Sequence, residues 1–588
     1  MIAKGLRPLA GRPLFTSLAL LASTALASTL ARADDDAVHF RPGHLLVSRS
    51  VYDNNAANVV AGTTQLPPNC VAPNCVTANA NGTYPTVFNN DQVDGSFGIT
   101  AKIMLDELHL DGRPVQSLEV PNSSERGVTP SRDHMVTSFS SKSEIALNLS
   151  VDSRVVSFMG YAAPVDAIDV SNSNTPDVVD PTNPVTASYS RVIATVDERG
   201  HFTFTKTNAY SGNNGRAAIL NDRHGANVFY MAGNAGNGGN PQPNGIIIGA
   251  GAQIATQSHL PLAQQPDPGL PTPVGSFNVT QLGDKIDKIG KDTNFRGLTV
   301  FNNVVYLTKG SGGNGVNTVY FIDTSGFDAN HNPLACPSGT GVPSANASLP
   351  TTPIIYNAAQ LQTSGVTPYN MCVLKGFPTN LAKNATAFPF GVWFADARTL
   401  YVADEGNGTA TYDATTNTFT AAAAQTGAGL QKWVFNNGSW TLAYTMQAGL
   451  ALGAPYTVKN YPTGNNTLTG LPWSPATDGL RNITGRVNRD GTATIWAITS
   501  TVSGSGDQGA DPNRLVMITD KLAATTLPAG ESFTTARTAG FAEVLRGVSF
   551  TPGTDFDHDV ADGRGSCGQD HGQDHGHGHD RDDCRDAD

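Results

Sequence analysis

From about residue 40 to residue 553, apolar and polar positions alternate in short runs rich in β-branched and aromatic residues. The 3.6-residue period of an amphipathic helix is nowhere sustained. Gly, Asn, Asp and Pro bound nearly every run, as they do in strands joined by turns. This pattern predicts an all-β body.

One unit recurs along that body: Arg or a counterpart, then Gly or a small residue, an apolar alternation, a turn and a second alternating strand. Four copies are GRAAILNDRHGANVFYMAG from Gly215, FRGLTVFNNVVYLTKG from Phe295, PFGVWFADARTLYVADEGNG from Pro389 and LRNITGRVNRDGTATIWAITS from Leu480. A fifth, SEIALNLSVDSRVVSFMGY from Ser143, carries Glu144 at the Arg position. A sixth, LRGVSFTPG from Leu545, stops after its first strand, while GHLLVSRSVYD from Gly43 reads as a second strand with no first. A repeat split between the two ends of a chain is what a ring closed by its termini produces. A β-propeller arranges repeated small sheets in such a ring.

Measured at Glu144, Arg216, Arg296, Phe390, Arg481 and Arg546, successive spacings are 72, 80, 94, 91 and 65 residues. Compact propeller repeats run to about 40–50, so long inter-strand loops are expected, such as GNAGNGGNPQPNG from Gly233 and the Pro-rich Leu260–Pro273. The count favours six blades, with a seventh if RGVT at Arg126 starts one. A pair of β-sandwiches is the rival architecture, but it leaves the split repeat unexplained.

The Pro389 copy resembles the NHL-type propeller repeat, in which P-x-G-[IV]-x-[VF]-x-D and a short turn lead into [LI]-Y-V-A-D and a Gly/Asn turn. More broadly the chain resembles exported bacterial propeller proteins. It is also similar to the calcium-dependent lactonases and esterases of the gluconolactonase and paraoxonase kind, six-bladed propellers that hold a metal in the central channel with Glu, Asn and Asp. That resemblance implies a channel calcium with oxygen ligands from Glu144, Asn221, Asp478 and Asn482, and hydrolysis of an ester, lactone or phosphoester there.

Charge narrows the range of partners. With 37 Lys or Arg against 49 Asp or Glu, the formal charge is −12, and no basic stretch is present to grip nucleic acid. Lys4, Arg7 and Arg12, an uncharged run from Leu14 to Leu30 and Ala31-Arg32-Ala33 follow the order of a secretory signal, with cleavage expected after Ala33. No later apolar run is long enough to span a membrane. Cleavage would remove four positive charges and no negative ones, taking −12 to −16. A secreted or periplasmic protein with six cysteines is expected to form disulfides, and the shortest loops pair Cys70 with Cys75, Cys336 with Cys372 and Cys567 with Cys584.

Two places are candidates for ligands. If the first strand of each repeat lies innermost, Arg216, Arg296, Arg481 and Arg546 gather at one mouth of the channel. There they either grip an anionic small molecule or protein partner bidentately, or fasten neighbouring blades together. The segment 554–588 is a different kind of sequence. From Asp555 on it holds eleven Asp, five His and three Arg and has too few apolar residues to form a core. Its His571, Asp574, His575, His577, His579 and Asp580 suit Zn²⁺, Ni²⁺ or Cu²⁺. No nucleotide cofactor is expected, because GSGGNG at Gly310 leads into the strand-like VNTVYFID and not a helix. The absence of G-x-S-x-G disfavours an α/β-hydrolase.

Overall fold

The computed structural model describes residues 38–555 except 74, 90–97, 123–133, 140–144, 180–182, 184, 235–250, 259–273, 276, 278–281, 283–293, 312–314, 326–335, 337 and 354–369. The compact unit described below begins at His39. The expected signal 1–33, Arg126, Glu144, the tail beyond Asp555 and the Cys567–Cys584 pair lie outside the described residues.

Six sheets of three to five strands form a six-bladed β-propeller. The inner strands are Asn148–Leu149 in blade 1, Gly215–Asn221 in blade 2, Phe295–Phe301 in blade 3, Pro389–Asp396 in blade 4, Ala476–Val487 in blade 5 and Glu543–Phe550 in blade 6. Each touches the next, and the last returns to the first. Their partners in the first five blades are Val155–Tyr161, Val228–Gly233, Val304–Lys309, Thr399–Asp404 and Thr492–Val502, each joined to its inner strand by a local hairpin.

Blade 6 is the split repeat. Leu45–Val51 pairs antiparallel with Glu543–Phe550, Leu45 opposite Phe550 and Val51 opposite Glu543, so the N-terminal strand closes the ring against the C-terminal one. Thr100–Leu108 and Pro114–Glu119 complete that sheet. Two repeat boundaries differ from the sequence reading. The inner strand of blade 5 starts four residues before Leu480 and runs for 12 residues. In blade 1 only Asn148–Leu149 pairs, because the chain turns at once and Ser150 N donates to Val155 O at 2.8 Å.

The core lies between blades. Tyr401 and Ala403 of blade 4 pack with Leu480 and Ile495 of blade 5. Leu45, Val47 and Leu545 of blade 6 pack with Trp496 and Ile498 of blade 5, and Met159 and Ile193 of blade 1 with Ala218 and Phe229 of blade 2. Strands buried on both faces in this way explain why several read as near-continuous apolar runs. Disulfides Cys70–Cys75 and Cys336–Cys372 are formed as the shortest-loop pairing predicts, the second tying a loop to strand Met371–Leu374 of blade 3.

Candidate ligand site on the propeller axis

The small residue of each repeat sits where inner strands converge. A Cβ on Gly297 would overlap the carbonyl oxygen of Phe390 in the next blade, one on Gly391 that of Arg481, and one on Gly547 that of Ile145, which leads into blade 1. In blade 5 the same position is Asn482, whose Nδ2 donates to Arg546 O at 2.9 Å. Between blades 1 and 2, Ala146 N donates to Arg216 O at 3.3 Å and Val151 N to Leu220 O at 2.9 Å. The repeat found in the sequence is thus in part the imprint of ring closure.

The arginines open their strands and turn to neighbouring groups. Arg216 donates to Asn294 and to the carbonyl of Phe295, linking blade 2 to blade 3. Arg296 donates to Ser311 Oγ, its Nε at 3.1 Å, and lies 4.0 Å from Glu405. Arg481 Nε donates to the other oxygen of Glu405 at 3.2 Å. The two guanidinium carbons flank the Phe390 ring at 5.5 and 4.9 Å, within cation–π range. Arg546 donates to Ser50 Oγ at 3.1 Å and to Phe139 O at 2.6 Å.

Glu405, just after the YVAD segment of blade 4, reaches blade 3 through Arg296 and blade 5 through Arg481. Sequence reasoning passed over it, and its one signal is an acid following the motif's Asp. Beside it, burial pushes the Asp404 carboxyl up to about 7. Hydrogen bonds from Phe388 N and Gly406 N oppose this, while Glu405 and Asp478 reinforce it. Burial likewise pushes Asp478 up to about 6, against hydrogen bonds from Gly408 N, Gln508 and Gln425.

An acid whose folded pKa is raised binds its proton more tightly in the folded state. Its stabilising contribution is complete below the unfolded value near 4 and is lost as pH rises through 6 to 7. Melting temperatures from pH 5 to pH 8 should therefore fall less steeply in an Asp404→Asn/Asp478→Asn chain than in the parent. Parallel curves would show that these carboxyls do not titrate in that window.

The C-terminal halves of the inner strands enclose an axial cavity of about 750 Å³, to which all six blades contribute. Its apolar wall includes Phe301 stacked on Phe394, with ring centroids 4.6 Å apart, and Ile483 and Val548. Its polar wall includes Asn148, Ser150, Thr484 and Arg486, with Arg223 and Asp396 at exposed positions. Arg486 is half-buried and its Nε donates to Asn488 Oδ1 at 3.2 Å. Next to Ser153 and Arg223, the Asp152 and Asp222 carboxyls are hydrogen-bonded to each other and shift in opposite directions. Against burial, hydrogen bonds from Asp222, Ser150 and Arg154 hold Asp152 at about 2, while Asp222 is pushed up to about 6 by burial and by Asp152.

The residues considered for a channel calcium are not gathered in this cavity. Asn482 lines it, with its amide on Arg546 O. Asp478, four positions earlier on the same strand, accepts from Gly408 N and Gln508 on the far side. Asn221 donates to Tyr230 OH at 2.8 Å inside blade 2. Glu144 lies outside the described residues. Among the described residues, no three His, Cys, Asp or Glu side chains are grouped so as to hold a metal ion. The cavity arginines Arg223 and Arg486 were not singled out from the sequence, because both lie away from the repeat's Arg position.

The fold and cavity define the class, a six-bladed β-propeller with an axial cavity. No protein-family model matches the chain, and no curated protein matches it. The likeness to the NHL repeat therefore stays with one hairpin, Pro389–Asp396 and Thr399–Asp404. Among solved structures, one match is a prolyl oligopeptidase B from Galerina marginata bound to a 35mer hydrolysis and macrocyclization substrate. It is 10% identical, with 77% of this chain and 42% of that one covered and a TM-score of 0.24. This chain thus covers less than half of that protein, and a likeness of this size carries no argument about function. Among the described residues no helix is long and apolar enough to cross a membrane.

Proposed function

We propose that this chain is an exported propeller that binds a compact anionic ligand with an apolar part in its axial cavity. The observation that carries the reading is the composition of the cavity wall: aromatic and aliphatic side chains together with amides, hydroxyls, the arginines Arg223 and Arg486 and, among the acids, Asp396 and Asp555. Its volume falls in the range of roughly 300–1,000 Å³ usual for small-molecule sites. A guanidinium fork matches carboxylate, sulfate or phosphate with two parallel hydrogen bonds. Arg216, Arg296, Arg481 and Arg546 open the same strands at the other end, where Glu405 pairs with Arg296 and Arg481. Export accords with the N-terminal signal pattern and with two disulfides. The tail histidines and aspartates form a separate site for Zn²⁺, Ni²⁺ or Cu²⁺ in this reading.

Thermal-shift and calorimetric titration with aryl carboxylates, aryl sulfates and inorganic phosphate test it. An aromatic anion should raise the melting temperature, with an affinity that falls as salt is added. Arg486→Ala should weaken that affinity by roughly tenfold or more, since a hydrogen bond to a charged group contributes about 1.5–3 kcal/mol. If no anion at millimolar concentration moves the melting temperature, or Arg486→Ala leaves the shift intact, the proposal fails.

A further inference from the structure

Ring closure fixes where the remaining chain leaves the fold. The C-terminal strand Glu543–Phe550 is the inner strand of blade 6, so the residues after it emerge at the end of the channel where the cavity lies. Thr554 and Asp555 themselves line that cavity. Three hydrogen bonds hold this exit: Gly43 N to Thr554 Oγ1 at 2.7 Å, Gly553 N to Ser153 O at 2.8 Å and Thr551 Oγ1 to Arg41 O at 2.6 Å. Whatever path residues 556–588 take, they begin at the cavity rim.

The sequence that begins there is Phe556-Asp557-His558-Asp559-Val560. It holds the two large apolar side chains of a stretch otherwise dominated by Asp, His, Gly and Arg. The cavity wall complements it, with Phe301, Phe394 and Val548 for the apolar side chains and Arg486 and Arg223 for the carboxylates. Asp396 and the Asp152–Asp222 pair oppose it at the rim, so the free segment should bind only modestly. The tether compensates, because a short linker holds a segment at an effective concentration on the order of millimolar.

We infer that Phe556–Val560 occupies the axial cavity of its own chain and competes with the ligand. The inference rests on reading the cavity as a binding site, and it adds regulation to that site.

Trp393 lines the cavity and is half-buried, whereas Trp433, Trp440, Trp473 and Trp496 are buried. Acrylamide quenching therefore reports on occupancy. A chain ending at Asp555 and a full chain carrying Phe556→Ser should both quench more steeply than the parent, and a synthetic Asp555–Ser566 peptide should restore protection to both variants while leaving the parent unchanged. An aromatic anion should bind the shortened chain roughly tenfold more tightly than the full one, the factor by which tethered occupancy taxes a competitor. Equal quenching in all three chains, with no peptide binding, overturns the inference. Anions that bind both forms equally also overturn it while leaving the ligand reading intact. Peptide binding with no anion binding would sink the external-ligand reading and keep this one.

Discussion

Replacing Asp520 by alanine should lower stability by about 3–5 kcal/mol, the usual cost of removing one partner from a buried ion pair. Asp520 and Lys432 both have fully buried side chains, with Lys432 Nζ 2.9 Å from Asp520 Oδ2. Tyr401 donates its hydroxyl to the same carboxylate, and Tyr444 donates to it at 2.6 Å. The ammonium also donates to Lys521 O at 2.6 Å and Leu522 O at 3.0 Å, under the ring faces of Tyr401 and Tyr444. This cluster joins blade 4 to blade 5, and the Glu531 carboxyl beside it is pushed up to about 7 by burial and by Asp520. Asp520→Ala strands an ammonium and two hydroxyls at once.

Lys432→Met should cost less, because an apolar side chain of similar length fills the space and the remaining carboxylate keeps two tyrosine donors. The double variant should fall well short of the sum of the two singles, since the partners are coupled. Urea unfolding of the four chains measures this. A loss below about 1 kcal/mol for Asp520→Ala would mean that the pair is not desolvated as the structure places it.

What the sequence revealed and what it hid divide along the same line as local and distant contacts. The inner hairpins, Phe295–Phe301 with Val304–Lys309 and Pro389–Asp396 with Thr399–Asp404, were legible because strand, turn and partner fit within one short window. The split blade was legible because an incomplete repeat at one end has its complement at the other. Cys70–Cys75 was legible for the same local reason.

Contacts between blades were not legible, because they join residues many tens of positions apart that no periodicity relates. Nothing in the sequence marks Lys432 and Asp520 as partners. Arg296 and Arg481 announced themselves by recurrence, but alternation along a strand cannot show that both would close on Glu405. The cavity arginines were hidden differently: Arg223 and Arg486 belong to no repeat position, and only the closed ring brings both to the same cavity.

Gly297→Ala should destabilise the propeller by about 3 kcal/mol, toward the upper end of what overpacking a core costs. The added methyl would overlap the Phe390 carbonyl and come within 2.8 Å of Thr308 Oγ1. Neither can withdraw easily. The Phe390 carbonyl accepts from Thr308, and Thr308 Oγ1 in turn accepts from Gly297 N at 2.7 Å, so the two inner strands are already at contact distance. A flexible side chain could swing away, but a backbone carbonyl inside a sheet moves only with its strand, and its strand is held by blade 5 through Gly391. Gly427→Ala is the matched control, since a Cβ there meets nothing closer than 3.8 Å, and it should change stability by no more than about 0.5 kcal/mol. Equal melting temperatures for the two variants would mean that the inner strands approach less closely than this packing requires, and the reading of the repeat's small residue as a ring-closing contact would fall with it.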